Sequence, residues 1–212
     1  MKGLLIYSGG LDSTTLLYEY KDSIDLAVTF DYGSKHNAKE IACAKENCQR
    51  LGIRHLIIPL GFIGQYFKSD LLQSGGEIPE GSYADENMKS TVVPFRNGIM
   101  LAVAAGLAES YGLDTVLLAN HSGDHAIYPD CRPEFIDAFA AAVKAGTYNG
   151  VQVVSPYCNI SKRDIALRGK AIGVDYSLTY SCYKGGEKHC GKCGTCVERK
   201  EALAGFDSTV YE

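Results

Sequence analysis

Short apolar runs alternate with stretches of helical periodicity along the chain. Each run is brief, apolar and bounded by polar or glycine-containing segments, which predicts a buried strand. The runs are residues 3–7, 25–30, 55–59, 115–119 and 152–156. The stretches predicted to be helical are residues 14–18, 39–51, 98–111, 133–145 and 162–172. Because strands and helices alternate, the pattern predicts an α/β fold with a doubly wound parallel sheet and right-handed crossovers.

A glycine-containing segment joins the first predicted strand to the first predicted helix. Its sequence is Tyr-Ser-Gly-Gly-Leu-Asp-Ser-Thr-Thr, residues 7–15, and Asp12 or Ser13 is expected to cap the helix. Glycine permits close backbone approach, so several N–H groups can converge on one anion at the helix N-terminus. The segment is neither a Walker A loop nor Gly-x-Gly-x-x-Gly. It predicts a phosphate site, and the alternative is an ordinary capped turn.

Composition limits the classes of function. The chain has 212 residues and a net charge of −4, which argues against binding to nucleic acid over a broad surface. No apolar run reaches the length of about 18–20 residues that a membrane span needs. The N-terminus enters a strand at once, without the pattern of a signal peptide. We therefore expect a cytoplasmic protein with no membrane partner.

Polar side chains with no obvious structural purpose follow the predicted strands. Arg96 and Lys162 each open a predicted helix, where a cation opposes the helix dipole unless an anion binds nearby. Residues 120–135 form the densest polar stretch, and binding residues favour such loops. Asp130 is a candidate acceptor for a guanine-like edge, and Arg132 a candidate partner for a carboxylate. A solvated loop is the alternative, as a solvated surface is for Lys162.

The glycine-rich segment of residues 73–89, which includes Asp85, Glu86 and Asn87, has no periodicity. Loops of this length in a compact domain are usually functional or disordered. We interpret the segment as a mobile lid over the site, with an idle surface loop as the alternative.

Four cysteines near the C-terminus have the spacing of metal ligands. Cys182 is followed by Cys190, Cys193 and Cys196, in a Cys-x2-Cys-x2-Cys pattern. Four thiolates suit tetrahedral zinc with no open position. An iron–sulfur site is the first alternative, but the run lacks the further cysteine and proline of a ferredoxin. Disulfides or free thiols are the last alternative, because the expected compartment is reducing.

The Ser-Gly-Gly-x-Asp-Ser loop resembles the pyrophosphate loop of the N-type ATP pyrophosphatases. Together with Tyr-Pro-Asp-Cys-Arg at residues 128–132 and the four cysteines, it resembles the QueC family of queuosine biosynthesis. The resemblance runs from residue 6 to residue 196, although Leu11 stands where glutamine is common and Phe95 where glycine is usual. It implies a Rossmann-like fold of the adenine nucleotide alpha-hydrolase type, with a nucleotide-binding domain at 1–178 and a zinc-binding segment at 179–212.

The resemblance also implies particular site residues. Asp12, Ser13, Arg96 and Lys162 would be catalytic. The nucleotide would contact Tyr7, Ser8, Gly9, Gly10, Leu11, Asp12, Ser13, Thr14, Thr15, Tyr32, His36, Arg96 and Asn97, although His36 could also be a solvated residue at a helix start. The substrate would contact Asp124, Tyr128, Asp130 and Arg132.

The implied reaction converts 7-carboxy-7-deazaguanine and ammonia to 7-cyano-7-deazaguanine with ATP and Mg²⁺, in a homodimeric ligase that also binds Zn²⁺. Two successive adenylations would give first the amide and then the nitrile. The alternatives are a tRNA-modifying enzyme of the same superfamily, which would need a basic surface, and a non-catalytic nucleotide-binding zinc module.

Overall fold

Five parallel strands form the central sheet of the computed structural model, which describes residues 2–83 and 86–212. The strands are β1 Gly3–Ile6, β2 Ile24–Asp31, β3 Arg54–Pro59, β4 Thr115–Leu117 and β5 Gln152–Val154. Their order is β3-β2-β1-β4-β5, and every neighbouring pair is parallel. The predicted α/β fold is confirmed. The order reverses beside β1, and open sheets of this kind bind ligands at the carboxyl ends of the strands flanking such a switch.

Helices cover both faces of the sheet. They are α1 Leu11–Glu19, α2 Asn37–Leu51, α3 Gly61–Tyr66, α4 Arg96–Ser110, α5 Pro133–Gly146, α6 Lys162–Ala171 and α7 Gly194–Ala202. Successive strand side chains point to opposite faces. Leu4 therefore packs with Leu101 of α4 in one apolar core, whereas Leu5 packs with Leu16 of α1 and Ile165 of α6 in the other.

Helix α1 begins earlier than the sequence pattern predicted. Gly10 is its N-cap, without a side-chain cap, so the prediction that Asp12 or Ser13 caps the helix is wrong. Both side chains lie in the first turn and have other partners: Asp12 pairs with Lys162, and Ser13 with Ser8. The chain turns into the helix through the positive φ of Gly9 instead.

Helix α4 also begins earlier than predicted, at Arg96 rather than at residue 98. Its N-cap is Phe95, with φ 53°, the one non-glycine residue at positive φ in the part of the chain that the structure describes. A glycine tolerates this conformation without strain, whereas a phenylalanine does not. The ring of Phe95 packs edge-on against Phe135, with 5.6 Å between ring centroids, and partly compensates.

The segment predicted to be a lid contacts the cysteine-containing tail. Ile78 and Met88 are buried, and the N–H of Gly81 donates to the carbonyl of Lys192 at 3.1 Å. Asp85 and its neighbour Ala84 lie outside the described residues, so the lid remains an interpretation. Over residues 2–83 and 86–212, no helix is long and apolar enough to cross a membrane.

Candidate active site

Hydrogen bonds within the loop between β1 and α1 fix its conformation. Ser8 Oγ accepts the N–H of Gly10 at 3.1 Å and lies 3.0 Å from Ser13 Oγ. A Cβ at Gly9 would collide with the carbonyl of Glu40, so only glycine fits there. The loop is therefore packed against α2, and its Ser8, Gly10 and Ser13 line one cavity at the start of a helix, which suits an anion.

A buried lysine lies beside this loop between two carboxylates. The Nζ of Lys162 is 3.0 Å from Asp12 Oδ2 and 2.8 Å from Glu198 Oε2. Burial alone would lower the pKa of Lys162, but the Asp12 and Glu198 carboxylates outweigh it and raise that pKa, so the lysine stays charged. Asp12 Oδ1 is buried and lacks a hydrogen-bond partner among the described residues. One carboxylate oxygen thus remains available as an acceptor.

His121 completes this charged cluster. Its side chain is almost wholly buried, and Nδ1 accepts the N–H of Gly123 at 3.0 Å. Nε2 lies 3.6–3.9 Å from carboxylate oxygens of Asp12, Asp124 and Glu198, and 3.5 Å from the Nζ of Lys162. His121 lies in the polar stretch of residues 120–135 but was not singled out as a site residue, and Glu198 was not predicted. Glu198 follows Cys196 by two residues in α7, a helix that the sequence pattern did not predict, so its link to the loop has no local signal.

A second cation, Arg96, lies at the start of α4. Its Nη1 donates to the hydroxyl of Tyr32 at 3.1 Å, and its Cζ is 5.6 Å from the centre of that ring. It makes no ion pair with a carboxylate among the residues described, in contrast to Lys162. Arg96 could therefore pair with a bound anion.

Asp130 fixes the start of α4 from outside the cavity. Its Oδ2 accepts the backbone N–H of Asn97 at 2.7 Å, and Asn97 Nδ2 donates to Cys131 Sγ at 3.0 Å. Arg132 Nε donates to the carbonyl of His125 at 2.9 Å. Asp130 and Arg132 thus stand behind the cavity wall rather than in its lining.

Three tyrosines form one wall of the cavity beside the loop. Tyr128 and Tyr183 share a hydroxyl contact of 3.1 Å, and Tyr83 lies 6.0 Å from Tyr128 between ring centroids. The hydroxyl of Tyr83 donates to Asp124 at 3.0 Å, and His36 stacks on Tyr183 at 5.2 Å. Flat rings and a few fixed hydroxyls are the surface that a planar heterocycle needs.

One cavity collects most of the residues predicted for the site. Those in its lining are Tyr7, Ser8, Gly10, Leu11, Asp12, Ser13, Tyr32, His36, Arg96, Asn97, Asp124, Tyr128 and Lys162. Gly9, Thr14 and Thr15 lie behind it. Thr14 bonds to the hydroxyl of Tyr7 at 3.1 Å, and Thr15 donates to the carbonyl of Leu11 at 3.0 Å. Glu40 also lines the cavity and was not predicted.

The four C-terminal cysteines converge. Their sulfur atoms all lie within 4.8 Å of one another, and all four residues are buried. Sulfurs around a tetrahedral metal with bonds of about 2.3 Å are about 3.8 Å apart, and Cys190 Sγ lies 4.0 Å from Cys196 Sγ. Backbone N–H groups of Lys192 and Cys193 donate to Cys190 Sγ at 3.5 and 3.3 Å. This sulfur set could hold a metal ion.

Helix α7 connects the four C-terminal cysteines, the cysteine cluster, to the loop between β1 and α1, which we call the phosphate loop. It carries Cys196 and the completely buried Arg199, whose guanidinium donates to the carbonyl of Tyr176 at 2.7 Å and to hydroxyls of Thr179 and Ser181. In the same segment, the N–H of Tyr180 donates to the carbonyl of Gly9 at 3.1 Å. The geometry of the loop thus depends on where α7 lies.

The chain is similar to proteins of known family. A family model described as Queuosine biosynthesis protein QueC matches residues 2–207. A 7-cyano-7-deazaguanine synthase of Porphyromonas gingivalis is 66% identical over 99% of this chain and 96% of the relative. The same enzyme of Desulfotalea psychrophila is 54% identical over 98% of this chain and 97% of the relative.

A solved structure of NMN synthetase from Francisella tularensis has a TM-score of 0.51 at 14% identity. The match covers 88% of this chain and 68% of that one. At this identity the likeness concerns the fold alone.

Proposed function

The chain belongs to the QueC family, and from that premise we propose that it is an ATP-dependent ligase that converts 7-carboxy-7-deazaguanine and ammonia to 7-cyano-7-deazaguanine. The observation that carries the proposal is that 7-cyano-7-deazaguanine synthases match almost the whole chain at up to 66% identity. The cavity agrees with it, because it combines a phosphate loop, two cations and a tyrosine wall.

ATP binds with its pyrophosphate at the loop of Ser8, Gly10 and Ser13. Lys162 is charged and lies beside this loop, so it can neutralise charge that builds on the phosphates. Asp12 fits a role in holding Mg²⁺, because its Oδ1 is buried and has no partner among the residues that the structure describes. The ion would neutralise phosphate charge.

The substrate lies against Tyr83, Tyr128 and Tyr183, with its carboxylate toward Arg96. Aromatic faces stabilise a planar base, and a cation without an ion pair can bind a carboxylate. Asp124 can accept hydrogen bonds from the base at the edge of this wall. Asp130 and Arg132 act from behind the cavity, by fixing Asn97 and the turn at His125.

The chemistry proceeds in two stages. The substrate carboxylate attacks the α-phosphorus of ATP and displaces pyrophosphate, and ammonia then displaces AMP and loses one proton to give the amide. In the second stage the amide oxygen attacks the α-phosphorus of another ATP and displaces pyrophosphate, and loss of AMP and two protons leaves the nitrile. Each stage relies on positioning and charge neutralisation rather than on a protein nucleophile.

The cysteine cluster binds Zn²⁺ in a structural role. Four thiolates leave no open position for chemistry, and the cluster lies on the segment that holds α7 against the loop. The homodimeric state and the cytoplasmic location that we propose rest on the family resemblance.

Product analysis tests the proposal. The metal-loaded protein is incubated with ATP, magnesium, ammonium and 7-carboxy-7-deazaguanine, and products are identified by mass spectrometry. We expect the nitrile, with two AMP and two pyrophosphate per nitrile. ATP cleavage without the nitrile would contradict the proposed substrate, and no ATP cleavage would contradict the proposed chemistry.

A further inference from the structure

His36 and Glu40 form a buried pair on the wall of the cavity. His36 precedes the first turn of α2 and Glu40 lies four residues later, so both side chains share one face of the helix. His36 Nε2 lies 3.4 Å from Glu40 Oε2. The two side chains are 3% and 13% exposed, and both line the cavity.

The pair lies between the phosphate loop and the tyrosine wall. Glu40 Oε1 is 3.8 Å from the position of a Cβ built on Gly10, so the carboxyl group adjoins the loop. On the other side, the ring of His36 stacks on Tyr183. The pair is therefore next to the place where an activated carboxylate would meet the α-phosphate of ATP.

One atom of the pair has no purpose in the fold. The Nδ1 of His36 is buried and has no hydrogen-bond partner among the described residues. A buried polar atom without a partner is destabilising, so such an atom in a cavity points to a ligand.

The surroundings keep both groups neutral near pH 7. Burial lowers the pKa of His36 to about 3, and the charge of Arg96 contributes. Burial raises the pKa of Glu40 to about 8, against the opposing effect of Arg96. The other titratable groups near the pair are Cys43 on α2, Tyr32 after β2, Tyr183 and Cys193. A proton acceptor is most effective when its pKa is near the working pH.

The proposed reaction needs such an acceptor. Ammonia brings three N–H bonds and the nitrile product has none, so the nitrogen atom must lose three protons over the two stages. The two carboxylates beside the phosphate loop, Asp12 and Glu198, both form ion pairs with Lys162, and the free oxygen of Asp12 is assigned to Mg²⁺.

We propose that His36 and Glu40 together accept the protons that this nitrogen loses, an inference that rests on the proposed function. In the tetrahedral adduct of ammonia with the adenylated carboxylate, an N–H bond breaks and its electron pair stays on nitrogen. The pair acts when Glu40 is ionised: the proton passes to Nδ1 of His36, while the proton on Nε2 passes to the Glu40 carboxylate. The C–O bond to AMP breaks, and its electron pair leaves on the AMP oxygen. The pair then returns to its starting state by releasing one proton to water.

Separating the two half-reactions tests the inference. Exchange of labelled pyrophosphate into ATP, with 7-carboxy-7-deazaguanine and without ammonium, measures adenylation alone. We expect Glu40→Gln to keep this exchange within about twofold but to slow amide and nitrile formation by about 100-fold or more. The rise in rate that accompanies ionisation of Glu40, near its pKa of about 8, should disappear from the pH profile of nitrile formation. Glu46→Gln, on the exposed face of the same helix, is the matched control and should leave both rates unchanged.

Two further variants keep the test decisive. Glu40→Asp should restore part of the nitrogen step, and His36→Asn should imitate Glu40→Gln. The inference is wrong if Glu40→Gln lowers exchange and nitrile formation equally, or if His36→Asn weakens ATP binding while the nitrogen step stays normal. The latter result would assign His36 to the nucleotide. Failure of the proposed function is a separate outcome, because the unaltered protein would then form no nitrile.

Discussion

Glu198 Oε2 lies 2.8 Å from the Nζ of Lys162, so the helix that carries Cys196 contacts the lysine beside the phosphate loop. Both side chains are largely buried, and the pair is therefore less screened by solvent than a surface ion pair. Arg199, the next residue, holds the segment whose Tyr180 N–H bonds to Gly9. The cysteine cluster and the phosphate loop are thus parts of one structural unit.

Replacing Lys162 by methionine should remove most of the activity. The variant leaves Asp12 and Glu198 as carboxylates facing the phosphates, without the cation between them. We expect kcat/KM for ATP to fall by about 100- to 1000-fold, the usual effect of losing one group that stabilises developing charge. Lys144→Met, at an exposed position on α5, is the control. Steady-state kinetics with near-normal rates for Lys162→Met would contradict this role.

Loss of metal should affect both stability and nucleotide binding. We expect elemental analysis to find one zinc per chain, none in Cys193→Ser, and one in Cys158→Ser, whose cysteine lies outside the cluster. Chelation should lower Tm by roughly 10 °C, because metal binding contributes to folding free energy. It should also weaken ATP binding, measured by calorimetry, since α7 supports Lys162 and Gly9. Equal ATP affinity with and without metal would show that the two sites are independent.

Phe95 gives a test of backbone strain. At φ 53° alanine is strained by roughly 1 kcal/mol relative to glycine, so Phe95→Gly should be more stable than Phe95→Ala by about that amount. In helical regions alanine is usually more stabilising than glycine, so the expected order of stability is reversed at this position. Urea denaturation of the two variants measures the difference. If the alanine variant were equally stable or more stable, Phe95 would not be strained.

The raised pKa of Glu40 predicts a pH-dependent stability difference. Between the ordinary pKa of a glutamate, about 4.3, and the folded value of about 8, the folded state binds a proton that the unfolded chain has lost. The bound proton therefore stabilises the folded state relative to the unfolded chain. This stabilisation is fully present at low pH and is lost as pH rises, by up to about 1.4 kcal/mol per pH unit. Glutamine has no such dependence. The unfolding free energy of Glu40→Gln should therefore increase relative to that of the unaltered protein from about pH 5 to about pH 7.5.

Urea denaturation at several pH values in that window measures this difference. Glu46→Gln should differ from the unaltered protein by a constant amount, because Glu46 is exposed. A constant difference for Glu40→Gln as well would mean that Glu40 is ionised in the folded protein.

The sequence predicts the sheet, the loop and the cysteine cluster because each depends on local patterns. Apolar runs and helical spacing locate the strands and helices, and Cys-x2-Cys-x2-Cys is a local ligand spacing. Contacts between distant segments have no such pattern. Glu198 reaches Lys162 across 36 residues, and Asp130 reaches the N–H of Asn97 across 33. Glu40 is on the face of α2 that lines the cavity. In the sequence it looks like any glutamate on a solvent-exposed helix, so the pattern does not single it out.

Oxygen-18 transfer tests the central claim, that the protein adenylates one substrate twice. The carboxylate of 7-carboxy-7-deazaguanine is labelled at both oxygens, and the AMP and nitrile products are analysed by mass spectrometry. Two successive adenylations move one labelled oxygen to each AMP, so each nitrile formed should be accompanied by two singly labelled AMP molecules. Unlabelled AMP, or label that remains in the deazaguanine product or appears in pyrophosphate, would contradict the account.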